Sequence, residues 1–324
     1  MLDGVGRNID YLRISVTDRC NLRCVYCMPE AGVESLGHDD ILTFREILVI
    51  AKAAAQLGIK KVKITGGEPL VRRGIVNLVR RIKDIDGIEQ VTMTTNGVLL
   101  GPMAEELAAA GLDAVNVSLD SMNSESFCRI TRRDNLGEVM EGIRKASELG
   151  IRTKINCVPI AELNGGDLTG IAKLAREHRI DVRFIELMPI GFGKNYSPVS
   201  NSELLEMIRL EFGEPSPSAS KHGNGPAVYY DLPGFKGSIG FISAISNEFC
   251  EDCNRIRLTA DGNLKLCLHY NKGVALKQLL RGGISREGLR KVMENAIYSK
   301  PLHHSFNGSS AESVEMKNMV QIGG

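Results

Sequence analysis

No sign of charge dominates this sequence: 40 lysines and arginines stand against 39 aspartates and glutamates, a formal net charge of +1. A balance this even supplies no global field to draw the chain to nucleic acid or to an anionic membrane, so anion binding has to come from a local cluster of cations. Long apolar runs are missing as well. Residues 1–10 hold no stretch of signal-peptide length, and the longest run, Ile47 to Ala55, is broken by Lys52; both predict a cytoplasmic protein. Tryptophan is absent, and eight cysteines in 324 residues are too few for a disulfide scaffold. In a reducing compartment their spacing is better read for metal binding or catalysis. What remains, 43% hydrophobic and 24% charged, excludes collagen-like and disordered classes and has length for one large domain and a smaller one.

Between Tyr11 and Glu186 a short β-rich run gives way to a longer helical stretch six times over. The spacing predicts strands at Tyr11 to Val16, Lys61 to Thr65, Gln90 to Thr94, Ala114 to Leu119, Arg152 to Val158 and Asp181 to Glu186. Helices are expected over Thr43 to Leu57, with Thr43 as N-cap and Gly58 beyond the end, over Pro102 to Ala110 before Gly111, and over Asn135 to Leu149 before Gly150. Strand, helix and strand in alternation imply parallel pairing with right-handed crossovers. Six such units fall short of a closed eight-unit barrel and leave a partial barrel or a doubly wound open sheet, both of which put their chemistry at the strands' C-terminal ends. The unusual polar runs fall there: a cysteine group after the first strand, Gly66-Gly67-Glu68-Pro69 after the second, Thr94-Thr95-Asn96-Gly97 after the third, Ser118-Leu119-Asp120 at the fourth and Glu186-Leu187-Met188-Pro189 at the sixth.

A helix over Asn201 to Phe212 is followed by Glu214 to Ser218 and a Gly-rich run to Pro226, which reads as a loop or linker. We therefore divide the chain at 1–213 and 214–324. The second part carries short strand candidates at Ala227 to Leu232, Ile239 to Ile242, Asn254 to Thr259 and Leu264 to Leu268, then two helical stretches and a tail from Ser309 without clear periodicity.

Cys20, Cys24 and Cys27 form C-x3-C-x2-C. Three thiolates on one loop can hold three corners of a four-iron cubane and leave one iron open to a small molecule; a zinc site completed by a distant ligand such as His38, or three unrelated buried cysteines, are the alternatives. Cys250, Cys253 and Cys267 form a second triad, which His269 would complete as a Cys3His zinc knuckle. Two triads, each lacking a fourth cysteine, favour two clusters with open irons. Cys128 and Cys157 have no partners at motif spacing and are expected as small buried hydrophobes.

Parallel strands covered on both faces should be almost continuously apolar, yet these carry Arg13, Lys61, Lys63, Lys154 and Arg183. Lys61 and Lys63 share a face by period, as do Arg255 and Arg257. A convergent set of this kind suits a polyphosphate; the alternative pairs each cation with Glu68, Asp120 or Glu186, or takes it to solvent at a strand end. The Gly66-Gly67 pair lets backbone approach a ligand closely, and Glu68 beside it can receive an ammonium group. Thr94 and Ser118 as satisfied strand-end polar groups, and Met188 as core, are the competing readings of those three.

Taken together, these residues resemble the radical S-adenosylmethionine superfamily, and within it the family that cyclises GTP for molybdenum cofactor biosynthesis. The segments that carry the resemblance are Arg13 to Pro29 (RISVTDRCNLRCVYCMP), Lys63 to Leu70 (KITGGEPL), Thr94 to Gly97, Asn116 to Asp120 (NVSLD), Arg183 to Pro189 (RFIELMP), Phe249 to Leu268 and the terminal Gly323-Gly324. The resemblance implies an α/β fold, a partial, six-unit TIM-type βα barrel with a smaller C-terminal region carrying a second iron-sulfur cluster. It implies two [4Fe-4S] clusters, one on Cys20, Cys24 and Cys27 whose open iron binds S-adenosyl-L-methionine, and one on Cys250, Cys253 and Cys267 whose open iron meets guanine. Tyr26, Gly67, Ser118 and Met188 match positions that contact S-adenosylmethionine. Arg13, Lys63, Thr94, Lys154, Arg255, Ile256 and Arg257 match the GTP site, with Lys61 and Arg183 as further candidates for the triphosphate, and Gly323 and Gly324 match a catalytic tail that enters the cavity. The implied reaction removes hydrogen from ribose C3' by a 5'-deoxyadenosyl radical, joins C3' to guanine C8 and ends at 3',8-cyclo-7,8-dihydro-GTP. A cellular electron donor and a downstream cyclic pyranopterin monophosphate synthase are the implied partners; nucleic acid and membrane are not, and a homodimer is compatible with the resemblance. Lys63 departs from the arginine common at that place, giving a point charge instead of a bidentate fork. Another radical enzyme with an auxiliary cluster, or a non-catalytic zinc and nucleotide-binding protein, are the rival functions.

Overall fold

The computed structural model describes residues 1–220, 222–247, 249–304 and 315–323. Its first six strands are β1 (Tyr11–Ser15), β2 (Lys61–Thr65), β3 (Gln90–Thr95), β4 (Ala114–Ser118), β5 (Arg152–Cys157) and β6 (Asp181–Ile185). They pair in parallel, in sequence order, with helices between them. The α/β partial barrel expected from the alternation is therefore present, and the boundaries differ from the expected ones by no more than one residue at each strand end.

The second part of the chain adds β7 (Ser216–Pro217), β8 (Val228–Asp231), β9 (Ile239–Ile242), β10 (Arg255–Leu258), β11 (Asn263–Lys265) and β12 (Gly273–Ala275). These strands go to both edges of the same sheet, whose order is β12-β11-β10-β1-β2-β3-β4-β5-β6-β9-β8-β7. β10 runs parallel to β1 and β9 parallel to β6, while the outermost strands turn back antiparallel. The six βα units are thus flanked by one further parallel strand on each side, and the Arg-x-Arg of β10 comes to lie beside Arg13.

The helices cover the outer face because their apolar residues recur at helical spacing. In the first, Phe44–Gln56, Thr43 accepts from the Glu46 amide while Glu46 returns a bond to the Thr43 amide, a capping box, and Ile47, Leu48, Ile50, Ala51 and Ala54 are buried against the sheet. On the strands, burial alternates. In β3, Val91, Met93 and Thr95 are buried under helices while Gln90, Thr92 and Thr94 face the concave side; in β5, Thr153, Ile155 and Cys157 are buried while Lys154 and Asn156 face inward.

Two expectations fail locally. Cys128 is exposed, not buried: in the helix Ser124–Thr131 the face against the protein is Phe127, Ile130 and Thr131, and Cys128 follows Phe127 by one residue, a rotation of about 100° toward solvent. Cys157 is buried as expected. The tail, read as aperiodic, contains a short helix, Met319–Ile322, held by Asn318 and Gln321 in a capping box and by burial of Val320 and Ile322. A single turn is too short to show a period in sequence.

Candidate active site

The concave face of the sheet encloses a cavity of about 660 Å³, within the roughly 300–1,000 Å³ usual for small-molecule sites. All six cysteines of the two triads line it. Of the remaining expected residues, Arg13, Lys63, Thr94, Lys154, Arg183, Arg255 and Arg257 lie on its wall, as do Tyr26, Gly67, Ser118 and Met188.

The cysteine loop after β1 is braced from behind. Gly67 donates its N–H to the Thr17 carbonyl at 2.7 Å and Glu68 to the Arg19 carbonyl at 2.8 Å. A Cβ on Gly67 would lie 2.4 Å from the Arg19 oxygen, so this glycine is required for the close approach of two backbones. Glu68 does not reach the cavity. It is fully buried, accepting from Leu70 N at 2.9 Å, Thr95 Oγ1 at 2.7 Å and Asn96 N at 2.6 Å; burial pushes its carboxyl up to about 7 against those donors. The sequence-based role for Glu68 as receiver of an ammonium group is therefore replaced by one as a clamp behind the cysteine loop. Asp120 acts similarly at the next wall: Tyr26 donates its hydroxyl to it at 2.6 Å and Val158 its amide at 2.8 Å, and burial raises its carboxyl to about 6.

The donor set of the first triad fits a cluster. Cys20 receives Leu22 N at 3.4 Å and Asn96 Nδ2 at 3.7 Å, contacts of the kind that tune cluster sulfurs. Burial pushes Cys20 up to about 11 and Cys27 up to about 12, the latter helped by the neighbouring thiol of Cys20, so these thiols hold their protons until a cationic centre displaces them. His38, weighed as a zinc ligand, is fully solvent-exposed next to Asp39. In the second triad, burial alone would raise Cys253, but Arg255, then Lys300, a backbone N–H and Arg257 outweigh it and bring the thiol down to about 7. His269 is also on this wall, 3% exposed, with its ring 6.2 Å from that of His304.

The cations form a row set by strand register. Arg13 is opposite Arg257 on one side and Lys63 on the other; across the cavity Lys154 is in register with Asn116 and Arg183 with Asn156. Burial, then Arg183, Arg13, Lys154 and Arg255, holds the Lys63 ammonium well below its ordinary 10.5. Burial, then Arg255 and Arg183, draws Arg13 down to about 10, with Tyr11 opposing. Arg257 is lowered as well, by burial and the neighbouring arginines. Such a cluster is strained without an anion and relaxed by one.

Not every expected residue joins it. Lys61 sits at the start of β2 outside the cavity wall and pairs with Asp10 at 2.8 Å. Ile256 alternates away from Arg255 and Arg257, and its side chain is in the core, 0% exposed. Gly323 accepts from Arg257 Nη1 at 3.2 Å and packs beside Ser15 and Thr65, while Met319 and Val320 reach the cavity wall; Gly324 lies outside the described residues. Among the described residues, no ion pair joins Lys61, Lys63, Lys154 or Arg183 to Glu68, Asp120 or Glu186. Lys154 instead meets Asp181 at 2.6 Å, the Tyr229 hydroxyl at 3.2 Å and the His222 carbonyl.

Other wall residues escaped the sequence reading. Asn116 and Asn156 share the inward face of Ser118 and Lys154, and the period of two would have found them. In the run ending at Pro226, read as a loop or linker, Asn224 donates to the Gln90 side chain at 2.5 Å at the start of β3 and His222 stacks on Tyr229; no local pattern encodes that long-range contact.

Comparison with known proteins agrees with this geometry. Residues 14–175 match the Radical SAM superfamily and residues 180–306 match Molybdenum Cofactor Synthesis C. The GTP 3',8-cyclase of Clostridium perfringens (strain 13 / Type A) is 48% identical over 324 residues, covering all of both chains. That of Desulforamulus reducens is 46% identical over 329 residues, again covering both in full. Among solved structures, Streptococcus suis SuiB bound to S-adenosylmethionine superposes with a TM-score of 0.64 at 15% identity, covering 92% of this chain and 67% of that one, which is a likeness of fold.

Proposed function

We propose that this chain, which belongs to the GTP 3',8-cyclase family of the radical S-adenosylmethionine superfamily, converts GTP to 3',8-cyclo-7,8-dihydro-GTP for molybdenum cofactor biosynthesis. One observation carries the reading: two three-cysteine sets and a row of cations line a single cavity. When bound, two [4Fe-4S] clusters and S-adenosyl-L-methionine supply the electron and radical chemistry by which hydrogen leaves ribose C3' and C3' bonds to guanine C8.

The protein's own part is to hold, orient and shelter. Cys20, Cys24 and Cys27 fix one cluster and leave an iron free of protein ligands, and Tyr26, Gly67, Ser118 and Met188 form the wall for S-adenosylmethionine. Tyr26 does so with its hydroxyl spent on Asp120, which locks the ring. Cys250, Cys253 and Cys267 fix the second cluster beside the arginines of β10. Arg13, Lys63, Lys154, Arg183, Arg255 and Arg257 bind the triphosphate and fix the ribose between the two cysteine sets, and Thr94 completes that wall. Lys154 must then give up part of its contact with Asp181 to serve a phosphate. Gly323, on Arg257, brings the tail to the same site. Enclosure keeps a reactive carbon radical from solvent over a path of a few ångströms.

Residues 1–213 provide the first half of this site and 214–324 the second. A cellular electron donor, hand-off to a cyclic pyranopterin monophosphate synthase, a homodimer and a cytoplasmic location complete the reading; no described helix is long and apolar enough to cross a membrane. Anaerobic reconstitution followed by incubation with GTP, S-adenosylmethionine and a reductant tests it. The expected product is a GTP isomer formed together with 5'-deoxyadenosine. Deoxyadenosine with GTP unaltered would favour a radical enzyme acting on another substrate, and a colourless preparation holding zinc without iron would remove the radical chemistry.

A further inference from the structure

The second cysteine triad is tied to two segments far from it in sequence. Arg7 is 8% exposed, and its guanidinium spends all five of its donors there. Nε bonds Asp3 Oδ2 at 2.7 Å; Nη1 bonds the carbonyls of Cys250 at 2.8 Å and Leu302 at 3.0 Å; Nη2 bonds those of Pro301 at 2.8 Å and Lys300 at 3.3 Å. Asp3 is in turn fixed by the amides of Val5 and Arg7. Arg7 therefore joins the main chain of one cysteine of the triad to the segment that starts at Lys300.

Lys300 is 5% exposed and on the cavity wall. Its ammonium donates to the carbonyl of Leu266, the residue before Cys267, and shares the cavity wall with Cys250, Cys253 and Cys267. A buried ammonium is costly unless an opposite charge compensates it. The groups that favour its charge are Cys253 and Cys267. Between them, Arg7 and Lys300 bond the main chain of Cys250 and of the residue before Cys267. At the first triad the main-chain carbonyls are met instead by Arg23, on Cys20 at 2.6 Å, and by Arg132, on Arg23 at 2.9 Å and Met28 at 3.3 Å.

We propose that Lys300 is a tuning residue for the second cluster, its ammonium, buried on the wall that the three cysteines share, favouring the reduced, more negative state, and that Arg7 is the positioning residue that holds it there. The inference rests on the reading of Cys250, Cys253 and Cys267 as cluster ligands. Cluster potentials follow net charge and hydrogen bonds to sulfur, so a buried ammonium beside the second triad sets that cluster's potential higher than it would be without it.

The test is a redox titration of anaerobic holoenzyme followed by electron paramagnetic resonance, with iron and sulfide determined first. Wild type without iron at the second triad would refute the underlying reading and leave nothing for Lys300 to tune. With both clusters present, Lys300→Met is expected to move the second cluster's midpoint to a more negative potential, leave the first unmoved, and be largely restored by Lys300→Arg. Should Lys300→Met shed the second cluster's iron, Lys300→Gln keeps a donor without the charge and reads the same shift. Arg7→Lys, which cannot span four carbonyls, is expected to lower second-cluster occupancy and to shift its potential in the same direction. An unmoved second potential in the Lys300 variants, or loss of both clusters together, would overturn the proposal.

Discussion

Lys63→Met should make the substrate-free protein more stable and GTP binding weaker. Lys63 is 9% exposed in the middle of the cavity wall, in register with Arg13, and the largest influences on its ammonium are burial and four other cations. Exchanging such a cation for an apolar side chain of similar length is therefore expected to stabilise the free fold by about 1–3 kcal/mol, a rise of a few degrees in Tm. The sign with pH follows. The folded-state pKa of Lys63 is below its unfolded value of 10.5, so its favourable contribution exists above 10.5 and is lost as pH falls through the folded value; the advantage of methionine should vanish in strong alkali and grow toward neutrality. Binding moves the other way: removing one partner of a desolvated charge pair costs about 2 kcal/mol or more, at least a thirtyfold loss of GTP affinity. Anaerobic thermal unfolding with and without GTP reads both effects. A variant less stable than wild type when free, or one that GTP protects as well as wild type, would refute the reasoning.

Gly67→Ala should prevent iron uptake by the first triad, because its Cβ meets main-chain atoms of Asp18 and Arg19 at 2.4–2.7 Å, while Gly137→Ala, in an exposed helical position with nothing within 4 Å, should stabilise by about 0.5–1 kcal/mol; iron analysis and melting curves separate them. Glu68, whose carboxyl is raised from 4.5 to about 7, contributes stability that is complete below about 4.5 and lost as pH rises through 7. Denaturation across that window should show a wild-type slope, worth at most about 3 kcal/mol, that Glu68→Gln flattens. Tyr26→Phe removes a donor from buried Asp120 and should destabilise by about 1–3 kcal/mol, with the Asp120 carboxyl, followed by NMR, rising further above about 6.

The barrel was legible because its information is local: strand period, helix caps and the glycine after each helix set the elements to within a residue or two. The cysteine triads and the inward cations were legible for the same reason, since period two assigns Lys63, Lys154 and Arg257 to one face. The same rule misled at Lys61, which shares that face but stands at the mouth of β2, where Asp10 captures it. Glu68 was misread because sequence cannot tell whether a carboxylate beside a glycine pair looks into the cavity or back into the protein; three donors from Leu70, Thr95 and Asn96 decide it. Sequence also could not show that β9 and β10 go to opposite edges of the sheet, or that Arg7 meets Cys250 and Lys300, since these contacts join residues tens to hundreds of positions apart.

The central claim is that the two cysteine sets confine one nucleotide so that its ribose C3' faces the radical source. GTP carrying deuterium at C3' tests it most directly when incubated anaerobically with the reconstituted protein, S-adenosylmethionine and reductant. The account predicts that the deuterium moves into 5'-deoxyadenosine as the cyclised nucleotide forms. Deoxyadenosine free of label alongside a cyclised product would contradict it.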